Sequence, residues 1–121
     1  MKKKARILIA EDEKAIAKAL SLKLTHEGFE AEIASNGMDA VDLLQKGKFD
    51  LLLLDLIMPQ LDGFGVLKAI KDKGIKTPVI ITSNLSQEED ITKAKELGAI
   101  DFLIKSDTPV AEIVKKIKKL F

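Results

Sequence analysis

The sequence predicts an α/β fold, a doubly wound parallel sheet built from five βα units. Three observations carry this prediction. Five short apolar runs alternate with five stretches of helical apolar spacing. Most of the short runs are apolar throughout, as strands buried on both faces should be. Glycines close four of the helical stretches, where a left-handed residue commonly ends a helix. Alternation of this kind implies a parallel sheet with helices on both faces and right-handed crossovers.

The elements follow in order. Ile7-Leu8-Ile9-Ala10 is the first strand. Ile16, Leu20 and Leu24 recur every four residues as a helix stripe that Gly28 ends. Glu30-Ala31-Glu32-Ile33-Ala34 alternates polar and apolar, which predicts an edge strand with one wet face. Val41 and Leu44 mark a second helix, stopped near Gly47, and Leu51-Leu52-Leu53-Leu54 is a central strand bounded by Asp50 and Asp55. Val66, Leu67 and Ile70 predict a third helix, ended by Gly74. Pro78 opens a fourth strand, Val79-Ile80-Ile81. Ser86-Gln87-Glu88-Glu89 fits a capping box for a fourth helix carrying Ile91, Ala94 and Leu97 up to Gly98. Ile100 to Ile104 is the fifth strand. Thr108 as N-cap with Pro109 at the first helical position opens a last helix, striped by Ile113, Val114, Ile117 and Leu120.

Composition narrows the function. With 121 residues the chain is expected to be one domain, large enough to bury a core without staples. Twenty Lys+Arg against 19 Asp+Glu argue against a dedicated nucleic-acid binder. The absence of Cys removes disulfides, thiolate metal sites and cysteine nucleophiles, and the lone His26 removes multi-histidine metal sites. No apolar run approaches the roughly 20 residues of a membrane span. Met1-Lys2-Lys3-Lys4 has the look of a signal-peptide start, but the apolar run after it is too short, so a cytoplasmic protein is expected.

Ligands of such sheets bind beyond the carboxyl ends of the strands. Strand one ends in Glu11-Asp12, strand three in Asp55, strand four in Thr82-Ser83-Asn84 and strand five in Lys105. Taken singly, each has a plain reading: an Asp after a strand is a common turn former, and an acidic pair suits a helix start. Together they place three carboxylates, a hydroxyl or two and an ammonium at one edge. Gathered carboxylates repel, so a cation must hold them. Oxygen-ligated Mg²⁺ is the natural candidate. With a carboxylate nucleophile, the set matches formation of an aspartyl-phosphate.

Here the sequence resembles the receiver domain of two-component response regulators across essentially its whole length, residues 1–121. The matching pieces are Ile7-Leu8-Ile9-Ala10-Glu11-Asp12, then Asp50 through Pro59, then Asp62-Gly63, Thr77 through Ser83, and Leu97 through Lys105. The resemblance implies a flavodoxin-like sheet in the order 2-1-3-4-5, with helices one and five on one face. It implies that Asp55 is the phosphoryl acceptor. Asp12, Asp55 and the Ile57 carbonyl would hold Mg²⁺, with Glu11 acting largely through water. Lys105 would neutralise a phosphoryl oxygen. Ser83, 22 residues before Lys105, would be the switch hydroxyl, with Thr82 turned away by strand alternation. Phe102 would be the aromatic switch, since the chain has neither Tyr nor Trp. The implied partners are a histidine kinase or histidine phosphotransfer protein, and a downstream protein met by the face of helix four, strand five and helix five.

Departures from the family pattern stand out. Ser106 takes the place of the usual Pro, so the Lys105–Ser106 peptide is expected to be trans, a non-Pro cis bond costing about 2.5–4 kcal/mol. Asn84 replaces the usual small residue after the switch hydroxyl, and apolar Ile57 and Leu85 flank the expected path of a hydrolytic water. Lys115, Lys116, Lys118 and Lys119 make helix five basic, suiting either solvent or an acidic partner.

Three other readings compete. A haloacid-dehalogenase-like phosphatase wants a second Asp two residues after the first, where Ile57 stands. A flavodoxin-like cofactor protein wants a hydroxyl-rich phosphate loop where Glu11-Asp12-Glu13 stands. A non-phosphorylated pseudo-receiver, acting only as a docking module, would not need the intact acidic set. The chain stops at Phe121, so a stand-alone receiver resembling a chemotaxis regulator, or one cut from a longer regulator, is expected.

Overall fold

The structure, a computed structural model, describes residues 4–85 and 87–121. Its elements are β1 (Arg6–Ala10), α1 (Lys14–His26), β2 (Glu30–Ala34), α2 (Gly37–Lys46), β3 (Leu51–Leu54), α3 (Gly63–Asp72), β4 (Val79–Ser83), α4 (Glu88–Glu96), β5 (Asp101–Ile104) and α5 (Val110–Lys118). A short 3₁₀ turn, Lys105–Asp107, follows β5. All five strands are parallel, in the order β2-β1-β3-β4-β5. This is the predicted doubly wound architecture.

Alternation along the strands splits the core into two layers. Ile7, Ile9, Leu51, Leu53, Ile80 and Leu103 face α1 and α5, meeting Ala17, Leu20, Leu24, Ile113, Val114 and Ile117. Leu8, Leu52, Leu54, Val79 and Ile81 face α2, α3 and α4, meeting Ala40, Val41, Leu44, Val66, Leu67, Ile70 and Ala94. The four leucines of β3 are at most 1% exposed. Burying each fully stabilises the fold by roughly 1.5–3 kcal/mol before chain entropy is counted. That explains a run apolar on both faces at the centre of the sheet.

Several local expectations shift. β2 lies at an edge as predicted, but its Ile33 is 42% exposed. Leu120 falls beyond the end of α5 and is half exposed rather than part of the buried stripe. Pro109 occupies the N-cap position of α5, with its carbonyl accepting from Ile113 N–H, while Thr108 closes the 3₁₀ turn. The fixed φ of proline suits either position. Ser86, the expected cap of α4, and Met1–Lys3, the start weighed as a signal sequence, lie outside the described residues. The side chains of Asn36 and Asp62 cap α2 and α3, each accepting a backbone N–H at 2.8 Å. Peptide bonds among the described residues are trans, Lys105–Ser106 included.

Helix α3 approaches the end of β3 closely at Gly63. A Cβ there would lie 2.6 Å from both the Asp55 carbonyl oxygen and the Leu56 Cα. Backbone cannot give way as a side chain can. Gly63→Ala is therefore expected to destabilise the fold by about 1–3 kcal/mol in urea denaturation. Gly65→Ala, whose new methyl would meet only the Leu61 side chain and the edge of Asp62, is expected to lose less.

Lys118 on α5 reaches Glu27, just past α1, at 3.0 Å. The hydrogen bond and charge of Lys118 hold the Glu27 carboxyl below its ordinary range. A depressed carboxylate pKa stabilises the fold above the unfolded-state pKa, and that contribution vanishes as pH falls through the folded-state value. The stability gap between the parent and Lys118→Gln is expected near neutral pH and should close in acid, followed by thermal unfolding across pH.

Candidate functional site

The strand ladder places the site residues. Ala10 pairs with Ala34 on one side and with Leu54 on the other. The ladder runs one step further: Glu11 N–H donates to the Ala34 carbonyl and Asp55 N–H to the Ala10 carbonyl, both at 3.0 Å. Glu11 and Asp55 therefore leave adjacent strands side by side. Ile81 pairs with Leu54, and Ser83 with Ile104, which sets Lys105 on the other flank of the same edge.

Asp55 and Glu11 are almost wholly buried, a costly position for two carboxylates. Lys105 compensates them. Its Nζ donates to Asp55 Oδ2 at 3.0 Å and lies 2.5 Å from Glu11 Oε1. The ammonium thus touches a buried oxygen of each acid. The other acceptors are tied to the backbone: Ile57 N–H donates to Asp55 Oδ1 at 3.2 Å and Glu13 N–H to Glu11 Oε2 at 3.1 Å. Burial pushes the Glu11 carboxyl up to about 7 despite Lys105, with the Asp55 charge adding to the rise. Burial opposes the charge on Lys105, but the contacts with Glu11 and Asp55 outweigh it and raise its pKa above 10.5.

Glu11, Asp12 and Asp55 offer carboxylate oxygens all within 4.8 Å of one another. Asp12 is exposed at the mouth and the other two lie below it. Three converging carboxylates, all hard oxygen donors, fit a small divalent cation such as Mg²⁺.

Ser83 and Thr82 are both buried, on opposite faces of β4. Thr82 follows Ile80 in alternation toward the α1–α5 layer, whereas Ser83 follows Ile81 toward α4. Ser83 Oγ accepts from Leu85 N–H at 3.2 Å, a contact within its own loop. Phe102 pairs with Ile81 in register and packs, half-buried, against the layer that Ser83 faces. The Ile57 side chain is 55% exposed, and Leu85 is half-buried beside the α4 layer. His26 is exposed in the last turn of α1.

Two contacts were not foreseen from the sequence. Glu13 Oε1 lies 3.6 Å from Lys105 Nζ, a third carboxylate around the ammonium. The Asn84 side chain accepts from Ser106 N–H at 2.9 Å. Both Asn84 and Ser106 stand out in the sequence as departures, each one position past the Ser83–Lys105 spacing, but their pairing was not read from it.

Acidic side chains, a lysine and a hydroxyl at the carboxyl edge of a five-stranded parallel sheet define the receiving module of two-component signalling. Comparison with known proteins agrees. The family model of the response regulator receiver domain matches residues 7–118, and the chain belongs to that family. It is 36% identical over 115 residues to the transcriptional regulatory protein PcoR of Escherichia coli, covering 95% of this chain and 50% of that protein. It is 37% identical over 100 residues to the transcriptional regulatory protein DltR of Streptococcus agalactiae, covering 83% and 45%. The chain thus spans about half the length of the curated relatives it matches. Among solved structures it is similar to the Francisella response regulator 1452 receiver domain, with a TM-score of 0.89, 31% identity and coverage of 96% and 95%. A CheY-like receiver domain protein from Methanospirillum hungatei gives 0.88, 26% identity and coverage of 97% and 93%. No helix among the described residues is long and apolar enough to cross a membrane.

Removing one partner of a buried ion pair strands the other. At pH 8 in metal-free buffer, Lys105→Met is expected to lose on the order of 3 kcal/mol in urea denaturation. Adding Glu11→Gln in that background should recover part of the loss.

Proposed function

We propose that the chain accepts a phosphoryl group on Asp55 from the phosphohistidine of a histidine kinase or histidine phosphotransfer protein. The observation that carries this reading is the Asp55 carboxylate itself, buried at the end of a central strand and flanked by Lys105 and two further acids. An Asp55 oxygen attacks phosphorus, the donor's P–N bond breaks, and the imidazole leaves with the electron pair. With acetyl phosphate the P–O bond breaks and acetate leaves. Ile57 N–H and the Lys105 ammonium orient the attacking carboxylate. Lys105 then neutralises charge on a phosphoryl oxygen.

Glu11, Asp12, Asp55 and the Ile57 carbonyl would hold Mg²⁺. Bound there, the ion supplies positive charge against the phosphoryl oxygens. The acceptor chemistry needs no general base, because an ionised carboxylate is already the nucleophile.

The new group adds roughly 1.5 to 2 negative charges beside Ser83 and Lys105. Ser83 turns its O–H to donate to a phosphoryl oxygen. Phe102 moves into the space left behind, shifting the population between two packings of α4, β5 and α5. A downstream protein reads that face. We assign the reaction to the cytoplasm, where kinase phosphodonor domains reside.

Incubation with Mg²⁺ and acetyl phosphate is expected to add one phosphoryl group by mass spectrometry. Asp55→Asn should abolish the addition, and Asp12→Asn should weaken its dependence on Mg²⁺. Labelling that survives Asp55→Asn would overturn the assignment.

The phosphorylated form is expected to persist for minutes or longer. Apolar Ile57 and Leu85 offer no hydrogen bond to a hydrolytic water, and positioned acid–base help is typically worth roughly 10²–10⁴-fold. Ile57→Asn and Leu85→Glu should each speed loss of phosphate from purified protein.

A further inference from the structure

The last register pair between β4 and β5 is Ser83 with Ile104, and beyond it the two strands pass into separate loops. Among the described residues, one hydrogen bond spans the gap between them, from Ser106 N–H to Asn84 Oδ1 at 2.9 Å. Each partner adjoins a residue with a role in the site. Asn84 follows Ser83, and Ser106 follows Lys105. We propose that Asn84 is a positioning residue for phosphoryl transfer, whose side chain latches the Ser83 loop to the Lys105 loop through the Ser106 N–H.

The latch needs both residues. A proline at 106 has no N–H to give, and an apolar side chain at 84 has no oxygen to receive one. Asn84 is exposed and Ser106 is exposed, so burial places no demand on either residue. Lys105 benefits because its charge sits at the end of a flexible four-carbon stem. Its contacts with Asp55 at 3.0 Å and Glu11 at 2.5 Å hold only while the backbone beneath the stem keeps its place. The 3₁₀ turn that begins at Lys105 is short, and such turns hold their shape weakly on their own. Fixing its second residue to the neighbouring strand's loop supplies the missing constraint. Freed of the latch, the two loops separate, and the ammonium spends less time against Asp55.

The inference rests on the reading of Asp55 as acceptor, and the test separates the two. Hydrogen exchange of the Ser106 amide, followed by NMR, reads the latch without any phosphoryl chemistry. Protection is expected in the parent and in Asn84→Asp, which keeps an acceptor oxygen, and several-fold faster exchange in Asn84→Ala. The rate of phosphoryl addition from acetyl phosphate with Mg²⁺ reads its consequence. Asn84→Ala should slow addition about two- to five-fold, the scale of one modest hydrogen bond. In a Ser106→Pro background, where the donor is already gone, Asn84→Ala should change the rate no further. Equal exchange in parent and Asn84→Ala would overturn the proposal. So would an unchanged rate in Asn84→Ala, or a full repeat of its effect in the proline background. Asp55→Asn is run alongside: if it labels like the parent, the acceptor reading fails, while the exchange data still judge the latch.

Discussion

The Lys105 ammonium is the interaction on which the site depends. Two carboxylates of nearly complete burial, Glu11 and Asp55, face it at 2.5 and 3.0 Å, and Glu13 closes a third side at 3.6 Å. A lysine in such surroundings contributes little net stability compared with an apolar core of the same volume. What it does contribute is a fixed charge pattern. Negative charge is concentrated at one strand edge and held there by the Lys105 ammonium. Burial raises the Glu11 carboxyl more than the ammonium beside it can lower it, so the cluster is not fully compensated by Lys105.

That arrangement is imposed by backbone register more than by the side chains. Asp55 is where it is because its N–H continues the β1–β3 ladder to the Ala10 carbonyl. Lys105 is where it is because Ile104 pairs with Ser83. A slip of one residue in any strand would send the functional side chain to the opposite face. The apolar leucines and isoleucines of β1, β3 and β4 prevent the slip, since both faces of these strands are committed to a core layer. Core packing and chemical geometry are thus the same constraint seen from two ends of a strand.

Much of this was legible in the sequence. The five apolar runs, the helix stripes and the chemistry at the strand ends all follow from local periodicity, and the resemblance to receiver domains supplied the strand order that periodicity cannot. What escaped notice depends on tertiary placement. Ile33 has the right alternation for a buried face, yet it sits on an edge strand and stays 42% exposed. Leu120 keeps the spacing of the α5 stripe but lies past the last helical residue. Asn36 and Asp62 are ordinary cap residues whose role only the observed helix starts reveal. Glu13 meets Lys105, and Asn84 meets Ser106, because separate loops converge at the sheet edge, and no spacing rule encodes that convergence.

The division of the core into two layers has a mechanical consequence. The sheet acts as a partition, with α1 and α5 joined on one side by shared packing and by the Glu27–Lys118 pair. Ser83, Phe102 and α4 belong to the other side. In the proposed switch, repacking behind Ser83 begins in one compartment and reaches α5 through β5, whose Phe102 and Leu103 face opposite layers. The outer edge along β5 is where α4 and α5, one from each compartment, come within reach of a single partner. A protein gripping that edge would bear on both compartments at once, as a vernier reads two scales, so an offset between them too small to change either layer by itself could still be read.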